Sequence, residues 1–122
     1  MPLVKLVKWQ WLDYTRTHPS RGTLLVHVAA VPAFIAGNVA LVAALLLGLW
    51  PAATLSLAVM AASLAWQGRC HRGEPERPEP FSGPAEAAAR ILIEQWVTFP
   101  RFAFSGGLDA SLARSVATTA TA

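Results

Sequence analysis

The sequence contains little charge and a single cysteine, and both shortages restrict what kind of protein it encodes. Only 14% of its 122 residues are charged, whereas 54% are hydrophobic. Soluble domains usually carry about 25% charged residues, so this balance indicates a membrane protein. Because Cys70 is the only cysteine, the sequence excludes an internal disulfide and a zinc site built on cysteines.

Several functional classes also lack their usual signals. The net charge is only +3, and the basic residues flank apolar segments without forming a surface stripe, so no nucleic-acid partner is expected. No serine lies in a nucleophile elbow or in a Ser-His-Asp context, which disfavours a hydrolase. A cleaved signal peptide is not expected, because the first apolar run is longer than a typical ~7–15 residue signal core.

Two apolar runs, Thr23 to Trp50 and Pro51 to Trp66, dominate the chain. They predict an all-α membrane protein built on a two-span transmembrane helical hairpin, with spans at about 23–49 and 51–68. Two spans bury little surface, so we expect a homo-oligomer, most simply a dimer. Positive charges lie outside both spans, which predicts that both termini are cytoplasmic: Lys5, Lys8, Arg16, Arg21, Arg69, Arg72 and Arg77.

Amphipathic segments flank the predicted hairpin on both sides. Apolar residues recur at helical spacing over 3–17 and again over 84–98, which predicts N-terminal and C-terminal helices lying in the membrane interface. Pro100 is expected to end the second of these helices. We therefore predict a single membrane domain over 1–108 and a poorly ordered tail, rich in Ala, Thr and Ser, over 109–122.

The histidines are placed so that a hairpin brings them together. About 23 residues separate His27 from the turn and about 20 separate the turn from His71, which is roughly 35 and 30 Å of helix. Both imidazoles then reach the same membrane face, with His18 and Glu74 beside them. Ionisable groups at the edge of an apolar bundle are costly, so this cluster predicts a functional site.

Three imidazoles and one carboxylate form a typical metal-ligand set. Two or three histidines with one carboxylate and open positions are the ligands of non-haem Fe(II) oxygenases, and zinc accepts the same groups. Two alternatives stay open. One is haem held between His27 and His71. The other is a non-enzymatic interaction or scaffold protein whose hairpin docks a partner through small residues such as Ala40 and Ala44. The predicted ligands are His18, His27, His71 and Glu74.

A wider set of residues carries a resemblance to a known family: Tyr14, His18, His27 with Pro32, and Gln67, His71, Glu74 with Pro78. Over roughly residues 10 to 107 the chain resembles the iron(II)-dependent 2-hydroxy fatty acid dioxygenases that act in fungal phytosphingosine degradation, together with bacterial relatives long classified only as a domain of unknown function. The stretches 80–84 and 94–102 resemble the bacterial branch in particular, which implies a bacterial inner membrane as the location.

The resemblance implies an Fe(II) site with His18, His27, His71 and Glu74 as ligands, and an alpha-oxidation that uses O2 to shorten a 2-hydroxy fatty acid by one carbon. The acid would chelate the ion through its hydroxyl and carboxylate while its acyl chain lies in the bilayer. Tyr14, Arg72 and Arg77 are our candidates for binding this substrate, and the arginine role is our own inference. The chain differs from the fungal members in having two predicted spans where they have about four.

Overall fold

The computed structural model describes residues 2–115, and this part of the chain is all-helical, without a strand. The prediction of an all-α fold is confirmed. A π-helical segment, Glu94–Thr98, lies between the fourth and fifth α-helices. The α-helices are α1 (Leu3–Thr17), α2 (Arg21–Leu47), α3 (Trp50–Arg72), α4 (Pro84–Ile93), α5 (Phe99–Phe104) and α6 (Gly107–Arg114).

Helices α2 and α3 form an antiparallel hairpin with a very short turn. Gly48 ends α2 in the left-handed conformation with φ of 68°, which glycine adopts without a steric penalty. Along the hairpin the Ser63 hydroxyl donates to the Ala30 carbonyl at 2.5 Å. Near its middle, Gly37 lies directly against Met60 and the Ser56 carbonyl. Small side chains therefore allow the two backbones to approach closely.

Gly37→Ala is expected to destabilise the hairpin. A Cβ atom at this position would lie 2.8 Å from Met60 Cγ and 3.3 Å from the Ser56 carbonyl oxygen. Overpacking of this kind typically costs about 1–3 kcal/mol, so the thermal midpoint in detergent, followed by circular dichroism, should fall by several degrees. Gly68→Ala is the matched control, because no atom of the described residues lies within 4 Å of a Cβ added at this position. Equal midpoints for both variants would contradict this packing.

Within residues 2–115, one helix is long and apolar enough to cross a membrane by length and composition. It is α2, which has a mean hydropathy of 2.2 over its best window. Helix α3, at the predicted second span, has 23 residues but carries Ser56, Ser63 and Gln67 on its buried face. Both helices nevertheless expose large apolar side chains, including Val39, Val42, Leu46, Leu55 and Leu57.

The flanking helices correspond to the predicted ranges, with one difference. Helix α1 covers Leu3–Thr17, but the helix that begins at Pro84 does not end before Pro100. The Phe99 amide donates to the carbonyl of Glu94, five residues earlier, and α5 then continues to Phe104. A π-helical turn changes the hydrogen-bond register ahead of Pro100, which lacks an N–H and is tolerated in the first turn of a new helix.

The predicted domain end at 108 falls inside a helix. Helix α6 runs over Gly107–Arg114 and so includes the first residues of the predicted tail. The Arg21 guanidinium holds this helix by donating to the Leu112 carbonyl at 3.0 Å and to the Ser115 hydroxyl at 3.2 Å. The remaining tail, 116–122, lies outside the described residues.

Candidate metal centre

The three histidines of the chain converge on one point at the open end of the hairpin. His18 lies in the link between α1 and α2, His27 near the start of α2, and His71 in the last turn of α3. Their ring centroids are 4.6 to 5.2 Å apart, and each pair of rings is close to perpendicular. One ligand atom from each ring and one from Glu94 all lie within 4.8 Å of one another. This group could hold a metal ion.

Hydrogen bonds to main-chain carbonyls orient two of the rings toward this point. His18 Nδ1 lies 2.7 Å from the Tyr14 carbonyl oxygen, and His27 Nδ1 lies 2.8 Å from that of Thr23. A carbonyl can only accept, so each Nδ1 carries the proton and each Nε2 presents a lone pair. Carbonyl partners of this kind hold metal-ligating histidines in place.

The atoms that face this point form no hydrogen bond within the described part of the chain. These buried atoms are His18 Nε2, His27 Nε2 and His71 Nδ1. Unsatisfied buried polar atoms are rare in folded proteins because each loses its hydration without compensation. A cation bound between the three nitrogens would supply the missing interaction for all of them.

Glu94 completes the group, although it was not among the ligands predicted from the sequence. Its two carboxylate oxygens lie 3.8 Å from His18 Nε2 and 3.8 Å from His27 Nε2. Metal–ligand bonds of about 2.1 Å require donor atoms roughly 3.0–3.4 Å apart. Small side-chain movements are therefore enough to close the site around an ion.

The electrostatics of the group suit a divalent cation. Burial and the neighbouring His27 ring hold the pKa of His18 well below its usual value. Burial alone would raise the pKa of Glu94, but the imidazoles, His27 foremost, lower it to about 2. Near neutral pH the group therefore offers a neutral His18 imidazole and an ionised carboxylate. These are the protonation states that metal binding requires.

Glu74, the carboxylate predicted as a ligand, lies outside this group. The chain leaves helix α3 at Gly73, so the His71 and Glu74 side chains do not share one face. The Glu74 carboxylate instead accepts a hydrogen bond from the Thr23 hydroxyl, and the Thr23 carbonyl in turn accepts from His27. Glu74 therefore contacts the residue that orients His27 and is placed to position that ligand.

The predicted substrate-binding residues are placed differently from one another. Tyr14 stacks on His18 with ring centroids 3.9 Å apart and lines a small cavity beside the centre. Arg72 and Arg77 are exposed and line neither of the two cavities that reach His71. The arginine that lines both of these cavities is Arg90, which was not among the predicted site residues.

A buried network of amides and hydroxyls fixes the π-helical segment that carries Glu94. Gln95 and Gln67 exchange two hydrogen bonds of 2.8 and 2.9 Å. The Thr98 hydroxyl donates to the Gln10 side-chain carbonyl at 2.6 Å, and the Gln10 amide donates to the Arg90 carbonyl at 3.0 Å. Helix α1 and helix α3 thus hold this segment from two sides, which sets the direction of the Glu94 side chain.

Comparisons of the chain with protein-family models, with curated proteins and with solved structures gave no match. The interpretation of the centre therefore depends on its own geometry.

Proposed function

We propose that this protein is a membrane-embedded non-haem iron(II) oxygenase that acts on a lipid-like acid. The observation that carries the proposal is the convergence of three imidazoles and one carboxylate within 4.8 Å. Four protein ligands leave open positions on a six-coordinate ion, as non-haem iron chemistry requires. Zinc accepts the same ligands, and the resemblance of Tyr14, His18, His27 and His71 to the dioxygenase family favours iron.

We infer that α2 and α3 both cross the bilayer, with the centre and both termini on the cytoplasmic side. At about 1.5 Å per residue, a helix of the length of α3 reaches across a hydrocarbon core of roughly 30 Å. The large apolar side chains exposed on both helices need an apolar environment. Basic residues cluster at the open end of the hairpin, as the positive-inside rule expects of a cytoplasmic end.

This placement suits an amphiphilic substrate. An acid with a long acyl chain can keep the chain in the bilayer while its head group reaches a centre at the interface. The substrate class that the resemblance suggests is a 2-hydroxy fatty acid, whose hydroxyl and carboxylate form a chelating pair. A bound ferrous ion would supply the electron-transfer chemistry toward O2 that side chains lack.

The proposed reaction balances without a further reductant. The bond between C1 and C2 of the acid breaks, C1 leaves as CO2, and C2 becomes the new carboxyl carbon. The substrate loses four electrons and O2 accepts four, giving the shortened acid, CO2 and one water. In this scheme His18, His27, His71 and Glu94 hold the ion.

The ring geometry disfavours haem as an alternative. His27 and His71 have centroids only 5.2 Å apart and rings inclined at 77°, and His18 lies against both of them. A macrocycle between two axial histidines would have to displace this third ring. A scaffold role without a metal leaves the three unpartnered nitrogens unexplained.

Metal analysis combined with oxygen uptake tests the proposal. Protein purified anaerobically should contain close to one iron per chain and should consume O2 when a long-chain 2-hydroxy fatty acid is added. A 3-hydroxy acid of equal length is the control, because it cannot chelate through adjacent carbons. Iron-loaded protein that consumes no O2 with the 2-hydroxy acid would refute the oxygenase, and a stable zinc-only occupancy would reassign the metal.

A further inference from the structure

Two small cavities lie beside the metal centre, on the side of helices α1 and α4. Their volumes are about 40 and 100 Å³. The smaller cavity reaches Tyr14 and His18, and the larger one reaches Phe81 and Ile91. Both cavities share five lining residues, two of which belong to the proposed metal centre: Gln10, His71, Pro78, Arg90 and Glu94.

Arg90 is a buried cation held in a fixed position. It is 7% exposed, and its guanidinium lies over the rings of Trp9 and Phe81, at 5.0 and 4.6 Å from their centroids. Its terminal nitrogens donate to the carbonyls of Pro80 and Glu79 at 3.1 and 2.8 Å, and one of them also donates to Glu86. The Nε atom is buried and has no hydrogen-bond partner among residues 2–115. An ionised donor without an acceptor is costly, which indicates that an acceptor is missing here.

The Tyr14 hydroxyl is a second buried hydrogen-bond donor beside the smaller cavity. Tyr14 is 2% exposed, and its ring is held between His18, at 3.9 Å, and Phe102, at 5.0 Å between centroids. Its hydroxyl is buried and has no hydrogen-bond partner in the part of the chain that the structure describes. The smaller cavity is therefore lined by a neutral and a cationic donor that are both unsatisfied.

We propose that the Tyr14 hydroxyl and the Arg90 Nε–H form a carboxylate-binding subsite next to the metal centre. The proposal rests on the proposed function, because the ligand would reach the ion from this cavity. A carboxylate has two acceptor oxygens, and charge-assisted bonds from a guanidinium are among its strongest. The cavity of about 40 Å³ admits a carboxylate group, and the adjoining cavity of about 100 Å³ continues away from it.

Two acidic residues that line the smaller cavity determine when an anion can bind. Asp13 is already paired with Arg16, whose Nε lies 2.6 Å from its carboxylate. Glu94 faces the histidines, so a bound divalent ion would neutralise its charge and attract a second carboxylate. The subsite is therefore expected to bind an anion much more tightly once the metal is present. It also assigns acid recognition to Arg90 in place of the exposed Arg72 and Arg77.

Formate, the smallest carboxylate, tests the subsite in cobalt(II)-loaded protein. Binding is followed by the change in the visible absorbance of cobalt, which does not depend on turnover. Tyr14→Phe removes only the hydroxyl and leaves the main-chain carbonyl that orients His18. We expect formate affinity to fall about 10- to 100-fold in Tyr14→Phe and in Arg90→Lys, with cobalt content unchanged. Arg101→Lys is the matched control, because Arg101 also lies over a tryptophan ring, Trp11, at 4.0 Å, but lines neither cavity.

The results distinguish a failure of the subsite from a failure of the metal centre. Cobalt-loaded Tyr14→Phe with unaltered formate affinity would overturn the subsite even if Arg90→Lys failed to fold. A chain that takes up no cobalt refutes the metal centre, and formate is then titrated into the metal-free protein and followed by the ¹³C line width of labelled formate. Weaker binding in Tyr14→Phe than in the parent protein would still support the subsite, and equal or absent binding in both would overturn it.

Discussion

His27→Ala is expected to remove the metal from the protein. His27 is fully buried, its Nδ1 is held by the Thr23 carbonyl, and its Nε2 has no hydrogen-bond partner among the described residues. Structural zinc sites with four ligands bind with apparent free energies of about 10–16 kcal/mol. An equal share is about 2.5–4 kcal/mol for each ligand, so the loss of one ligand should weaken binding roughly 100- to 1,000-fold.

Metal content after dialysis and competition with a chelator measure this loss. Glu79→Gln is the control, because Glu79 is an exposed carboxylate on the nearby loop and lies outside the group of four. His27→Ala also empties a buried volume, so helicity in the same detergent must be compared first. A helical His27→Ala variant that keeps one tightly bound metal would show that His27 is not a ligand.

The sequence predicts the three histidines of the group because helix length is nearly all that their placement needs. A helix rises by a fixed amount per residue, so similar distances from the turn bring His27 and His71 to the same level. The link after Thr17 is too short to carry His18 far from the start of α2. For these residues, counting along an antiparallel hairpin is sufficient.

Counting residues along the hairpin does not identify Glu94 as the carboxylate of the group. Glu94 belongs to a row of polar residues four apart, which a regular α-helix would place on one outward face. The π-helical segment changes that register, and tertiary contacts hold it, especially the paired amides of Gln95 and Gln67. The only local signal is Pro100, which demands a change in hydrogen bonding before it. Short sequence spacing favoured Glu74 because it follows His71 by three residues, but the end of α3 at Gly73 separates them.

Arg90 was missed for a related reason. A row of Glu86 and Arg90 four residues apart is typical of an exposed ion pair on a helix surface, and that pair is present at 3.2 Å. What the row does not reveal is that the loop before α4 folds back, so that Pro80 and Phe81 cover the guanidinium. Long-range folding of a proline-rich loop decides the burial of this arginine, and no local pattern encodes it.

Glu94→Gln and Glu74→Gln together decide which carboxylate is the ligand. Glu94→Gln preserves shape but removes the negative charge that balances the ion, so we expect metal affinity to fall roughly 100- to 1,000-fold, as for a lost ligand. Glu74→Gln removes only a partner of the residue that orients His27, and changes around a ligand typically cost about 10- to 100-fold. Competition with a chelator ranks the two variants in one assay. The reverse order, with tight binding in Glu94→Gln and none in Glu74→Gln, would place the ion between α2 and the end of α3 and would remove Glu94 from the site.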